Sequence, residues 1–166
     1  MSEVKISDSI LTFDSVYKSE YAPKDEGLKK ANLLFIPYHN YRPGVEYCFG
    51  ENSEEFLRYL RTHDNDIKPD IAIEDDKYQS MEMHSLLIDI GIILVKDIIL
   101  PAVSSVLAAY VYDKIKSLHQ KSKDVNIRIE IVTQDKKGKS KSIKYDGPAT
   151  DFNIVERTIN KVLKQE

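Results

Sequence analysis

Cysteine occurs once, at position 48. That excludes an intrachain disulfide and any zinc site built from cysteines alone. Glycine is sparse as well: six residues, scattered, with no run that could cradle a phosphate. The four histidines, His39, His63, His84 and His119, are dispersed. His63-Asp64-Asn65-Asp66 is the one local cluster of ligand-capable atoms, and it falls where a helix should end, a place where histidine suits the helix dipole. Cys48 has no base beside it in sequence and reads as a buried, inert thiol. The opening MSEVKISDSI lacks both the basic and the apolar region of a signal peptide. Together with the lone thiol, this predicts a cytoplasmic protein. None of these patterns points to a catalytic residue, a metal site or a cofactor.

Charge is present in both signs but unevenly. Residues 1–80 carry ten lysines and arginines against sixteen acids, a net of −6, whereas residues 81–166 carry fourteen against eleven, a net of +3. Lys114–Lys144 alone holds ten bases and three acids. Such a segment could meet phosphate. Arg128 is its sole arginine and Tyr145 the nearest strand aromatic, so a solvated face is favoured over a nucleic-acid reader. The polarity of the two halves allows attraction within or between subunits.

The chain is organised around residues 81–120, whose centre reads LLIDIGIILVKDIILPAVSSVLAAYV. A membrane span needs about 20 predominantly apolar residues. Asp89, Lys96 and Asp97 interrupt this one, and each costs about 2.5–3.5 kcal/mol on the insertion scale. A buried helix is therefore expected. Because proline lacks an N–H and disfavours helix at the residue before it, the helix should kink or break near Pro101. The first half is apolar all round, which predicts a helix buried on most sides. The second half carries a stripe of Val103, Val106, Leu107, Tyr110 and Val111. A separate small-residue face of Ser104, Ser105, Ala108 and Ala109, with Tyr112, is the candidate interface. Lys114, Lys116, Lys121 and Lys123 form a candidate basic patch at its end.

Around this centre the pattern divides into an acidic region 1–80, the central helix 81–120, and a hairpin with a final helix over 121–166. Asn32–Tyr38 and Val45–Phe49 read as one hairpin, followed by a helix over Ser53–Thr62 that Asn52 and Glu55 would cap. Val125–Val132 alternates cleanly as a strand, turns at Gly138 and returns through Lys139–Tyr145. Phe152, Val155, Ile159, Val162 and Leu163 stripe the last helix. The predicted fold class is α+β, with two hairpin-plus-helix units packed around a long, Pro-kinked helical element.

Pro69-Asp70 with Asp75-Asp76-Lys77 has the residue types of a metal-dependent nuclease, in which two carboxylates hold magnesium and a lysine sits near the attacking water. The two parts lie too close together for a second strand to return between them. A charged loop is favoured, and Asp70, Asp75 and Lys77 stand as a distant alternative.

From Ser85 onward the order of features is a hydrophobic helix with LPAVSSVLAAYVYDKI, a basic flank, the hairpin IRIEIVTQDKKGKSKSIKY, an Asp-Gly-Pro turn and a short helix. This resembles the effector-associated constant-component modules of bacterial conflict systems. The resemblance covers the second half of the chain. It implies a small non-catalytic module that accompanies a defence effector, with no catalytic residues to carry over. The leading expectation is therefore a non-enzymatic adaptor, self-associating or docked on an effector protein. The alternative is a membrane-associated anchor that uses the central helix and the lysines after it.

Overall fold

The computed structural model describes residues 3–81, 86–117 and 125–164. In chain order the elements are β1 (Val4–Ser9), α1 (Phe13–Tyr17), β2 (Leu33–Ile36), β3 (Tyr38–Arg42), β4 (Val45–Cys48) and α2 (Ser53–His63). They continue with β5 (Pro69–Ile71), β6 (Leu87–Lys96), α3 (Leu100–Ser117), β7 (Asn126–Gln134), β8 (Ser140–Pro148) and α4 (Asn153–Lys164). The fold is α+β with a long central helix, and its main sheet is mixed: the order is β1-β8-β7-β6-β2-β5.

The first half of the apolar centre is not helix. Leu87–Lys96 is a ten-residue strand in the middle of the sheet, parallel to β7 and antiparallel to β2. Ile88, Ile90, Ile92, Ile93 and Val95 are β-branched and pack well on a pleated surface. A strand covered on both faces reads as a continuous apolar run, like a buried helix. The alternation is broken further by a bulge between Asp89 and Gly91, where Gly91 takes φ +82°. Ile88 and Ile90 before the bulge, and Ile93 and Val95 after it, join the core on the helical face. Ile92 and Leu94 pack on the opposite face.

Helix therefore begins only at Leu100. Pro101 sits in its first turn, where a missing N–H costs nothing because that donor has no partner in the helix. The residue does not kink the helix; it starts it. β6, α3 and β7 make a crossover unit, the connection that adjacent parallel strands require. Leu100, Val103, Val106, Leu107, Tyr110 and Val111 bury the inner side of α3. The amphipathic helices α2 and α4 pack beside it on the same face, through Phe56, Leu57 and Leu60 and through Val155, Ile159 and Val162.

The other face is covered over β2, β6 and β7 by α1 and the segment after it. Phe13, Val16, Ala22, Leu28 and Ala31 pack there on Leu34, Ile36, Leu94 and Val132. A capping box fixes the start of α1, with Thr12 accepting from the Ser15 N–H and Ser15 Oγ accepting from the Thr12 N–H.

Two further expectations change. β2 does not pair with Val45–Phe49; it enters the main sheet, and β3 pairs with β4 as a separate two-stranded ribbon. The three sequence segments 1–80, 81–120 and 121–166 all contribute strands to one sheet, because β1 lies antiparallel on β8. The second expected unit is present, with β7 and β8 as a hairpin followed by α4, but its strands belong to the same mixed sheet as β2 and β6, and the first expected hairpin gives way to the β3–β4 ribbon ahead of α2.

Candidate functional site

The outer side of α3 is the surface that the small-residue pattern pointed to. Ser105, Ala109 and Tyr112 share one solvent-facing row with Pro101 and Lys116, and Ile98 lies just before it. Spacings of three and four put these positions on one side of a helix. Ile98 is 73% exposed and Tyr112 63%, the two large apolar residues that bracket the row. Ser104 and Ala108 lie half-buried at its flank. The row from Pro101 to Tyr112 runs about 17 Å at the helical rise per residue and carries no charge.

The basic patch does not come together from its described members. Lys114 Nζ lies 2.9 Å from Glu55 Oε1, and that carboxylate also accepts from the Tyr110 hydroxyl at 2.6 Å. Burial alone would raise the Glu55 pKa, but the bonds from Tyr110 and Lys114 outweigh it and hold the carboxyl below its ordinary range. Lys116 Nζ sits 5.2 Å from the Tyr112 ring centroid, so it is attached to the exposed row. Lys121 and Lys123 lie outside the described residues, as do His84 and His119.

The chemistry weighed on sequence grounds finds ordinary partners. Asp70 Oδ1 accepts the N–H of Ile71. Asp75 and Lys77 belong to a single 3-10 turn. Among the described residues, no group of three or more histidines, cysteines or acids is arranged to hold a metal ion. His63 stacks on Tyr59 with ring centroids 3.8 Å apart, at the end of α2. His39 stacks on Tyr47. Cys48 is buried, and burial pushes its thiol up.

A second constellation went unread in the sequence. Asp89 is fully buried at the β6 bulge. The Tyr38 hydroxyl donates to its Oδ1 at 3.0 Å, and Arg128 Nη1 lies 3.6 Å from its Oδ2. Among the described residues no hydrogen bond reaches Oδ2. Arg128 also pairs with Asp146 through Nε at 3.3 Å and donates to the Tyr41 hydroxyl at 2.9 Å. The backbone is tied down too. The Asp89 N–H donates to Asn52 Oδ1 at 2.8 Å, the Asn52 N–H donates to the Asp89 carbonyl at 2.9 Å, and Ser53 Oγ donates to the Ile90 carbonyl at 2.7 Å. Asn52 thus makes no side-chain cap for α2, contrary to the expected capping box, because its oxygen is engaged by β6.

Burial raises the Asp89 pKa above its ordinary value, against the opposing pull of Tyr38 and Arg128. Burial and the neighbouring Asp89 charge push the Tyr38 hydroxyl far up. A perturbed acid can mark a reactive site, but a reactive site must also meet its substrate. Asp89 has no exposed surface. Its role is to bind the β3–β4 ribbon and the start of α2 to the sheet. The signal in the sequence was an aspartate inside the most apolar stretch, two residues before a glycine.

Comparison of the chain with protein-family models, with curated proteins and with solved structures gives no match.

Proposed function

We propose that the protein is a non-enzymatic, cytoplasmic interaction module that receives a protein partner on the outer row of α3. The observation that carries this reading is an imbalance in one element. The helical stretch Asp97–Ser117 is apolar enough to be compared with a membrane span, yet only 33% of its most apolar window is buried. Its inner side already covers the sheet, so the surplus apolar surface lies outward, between Ile98 and Tyr112. Small side chains along that row let a second helix come close, and the exposed aromatic at its end is the residue type enriched in interface anchors. The resemblance of the second half to effector-associated modules makes the partner an effector of a bacterial defence system.

The test is co-expression with the proteins encoded beside it. A partner that co-purifies with the wild type and is lost with Ala109→Arg, while the melting temperature is kept, supports the reading. A partner retained by Ala109→Arg and by Tyr112→Ala refutes it.

The same exposed row also supports a second reading, in which α3 lies flat on a membrane surface with Lys116 at the headgroups. Flotation with anionic vesicles separates the two. Protein that floats, and does so less with Ala109→Arg, favours the membrane.

A further inference from the structure

The two edges of the main sheet are treated differently. β5 has three residues and begins with Pro69, which has no N–H to offer. Short strands and prolines are the usual guards of a sheet edge. β1 at the other edge has six residues, pairs with β8 in an unbroken register, and contains neither proline nor bulge. Lys5, Ile6, Ser7 and Asp8 are exposed, and among the described residues no strand pairs with the outer edge of β1, although α4 approaches its helical face. Ile6 is 52% exposed and Ile10, just past the strand, 97%. In an antiparallel ladder alternate residues direct both backbone groups to the same side. Three of the six residues of β1 therefore present an N–H and a C=O to the outside.

We infer that β1 is a self-pairing edge: two copies of the chain join their sheets through antiparallel β1–β1 contact on a twofold axis that passes Ile6. This uses a different surface from the α3 row. The register follows from symmetry. An axis normal to the sheet keeps each residue on its own face, so residues that meet must be an even number of positions apart, and one residue meets its own copy. An axis at Lys5 sets Lys5 against itself beside Lys144, its neighbour on β8. An axis at Ser7 sets Ile6 against Asp8. An axis at Ile6 sets Ile6 against Ile6, Lys5 against Ser7 and Val4 against Asp8. Only this last arrangement joins exposed apolar surface to exposed apolar surface with no like charges opposed. Ile6 lies on the helical face, in the row of Ile143, so the new contact extends the existing core. The two six-stranded sheets become one of twelve strands.

The whole chain is tested by sedimentation across concentration and by cross-linking. The wild type should sediment as a dimer. Ile6→Lys, at an exposed position, should keep the circular dichroism of the fold and weaken the dimer at least about tenfold, since it opposes two ammonium groups on the axis. Ile6→Cys should trap a disulfide dimer under mild oxidation, because facing Cα atoms in such a ladder are about 4.5–5.5 Å apart, within disulfide reach. Asp8→Cys, which does not face itself, should trap far less. A wild type that stays monomeric overturns the inference, as does a dimer untouched by Ile6→Lys. A dimer broken by Ala109→Arg and not by Ile6→Lys also overturns it, and moves self-association to the α3 row. Loss of partner binding in Ala109→Arg with the β1 dimer intact leaves both readings standing.

Discussion

Arg128→Met tests the account of the buried carboxylate most directly. Among the described residues the guanidinium is the only cation within ion-pairing distance of Asp89, at 3.6 Å from Oδ2, and Asp89 itself has no exposed surface. Removing one partner of a buried pair costs about 3–5 kcal/mol, because the other is left as an uncompensated charge. Tyr38 still donates to Oδ1, which places this case at the lower end, about 3 kcal/mol near neutral pH. The pH dependence identifies the cause. Asp89 has a raised pKa in the fold, so the folded chain holds that proton more tightly than the unfolded chain does. Its contribution is therefore greatest at acid pH and is lost as pH rises from the ordinary aspartate range through the raised value. Arg128 pulls that pKa down, so its removal extends the window upward. The cost of Arg128→Met should shrink as pH falls, by about 1.4 kcal/mol per unit within the window. Urea unfolding followed by circular dichroism at about pH 5 and about pH 7.5 measures this. The double variant Asp89→Asn with Arg128→Met should be more stable than Arg128→Met alone near neutral pH. An equal cost at both pH values, or a double variant no better than the single one, refutes the reasoning.

Gly50→Ala should destabilise by about 3 kcal/mol, the upper end for overpacking, because a Cβ there would lie 2.4 Å from the Asp89 carbonyl oxygen, a backbone atom held on both sides. Thermal melts read this directly, and a loss below about 1 kcal/mol would mean that β6 can shift. Tyr110→Phe removes a 2.6 Å bond to Glu55 and should cost about 1.5 kcal/mol. Since the Glu55 pKa is depressed in the fold, the stability it lends is present above the ordinary glutamate range and drains as pH falls through the depressed value. Tyr110→Phe should flatten that acid-side slope, which denaturant melts taken down the acid range would show.

What could be read from the sequence depended on whether one face of an element meets water. β7 alternates over residues 126–131, where Arg128 and Glu130 on its second face stay partly exposed, and α4 carries a stripe because half of it is solvated; both were legible. β6 is covered on both faces, so it offers no alternation to read, and its bulge would shift the phase midway in any case. Length did not arbitrate, since the strand runs into α3 with only Asp97–Ile99 between them. Pro101 was given the wrong task for a related reason: its meaning depends on where the helix begins, and that depended on β6. The α3 row was legible because small residues at helical spacing stay visible when the helix is right. The Asp89 cluster was not, because its partners at 38, 41, 52, 128 and 146 are assembled by pairing between distant strands. A lone aspartate in an apolar run gave only the cost of burying it.

The place of β1 also bears on how the protein is made. Val4 pairs with Tyr145, 141 positions further on, so β1 has no sheet neighbour until that length of chain has been made. At about 5–20 residues per second that wait is roughly 7–30 s. Contacts this distant in sequence slow folding, because the loop must close before the pairing rewards it. During the wait β1 has both backbone edges unpaired, the condition in which strands associate with one another. Lys5 and Asp8 place charge of both signs on that strand, and charge on a strand opposes unwanted edge-to-edge pairing before β8 arrives.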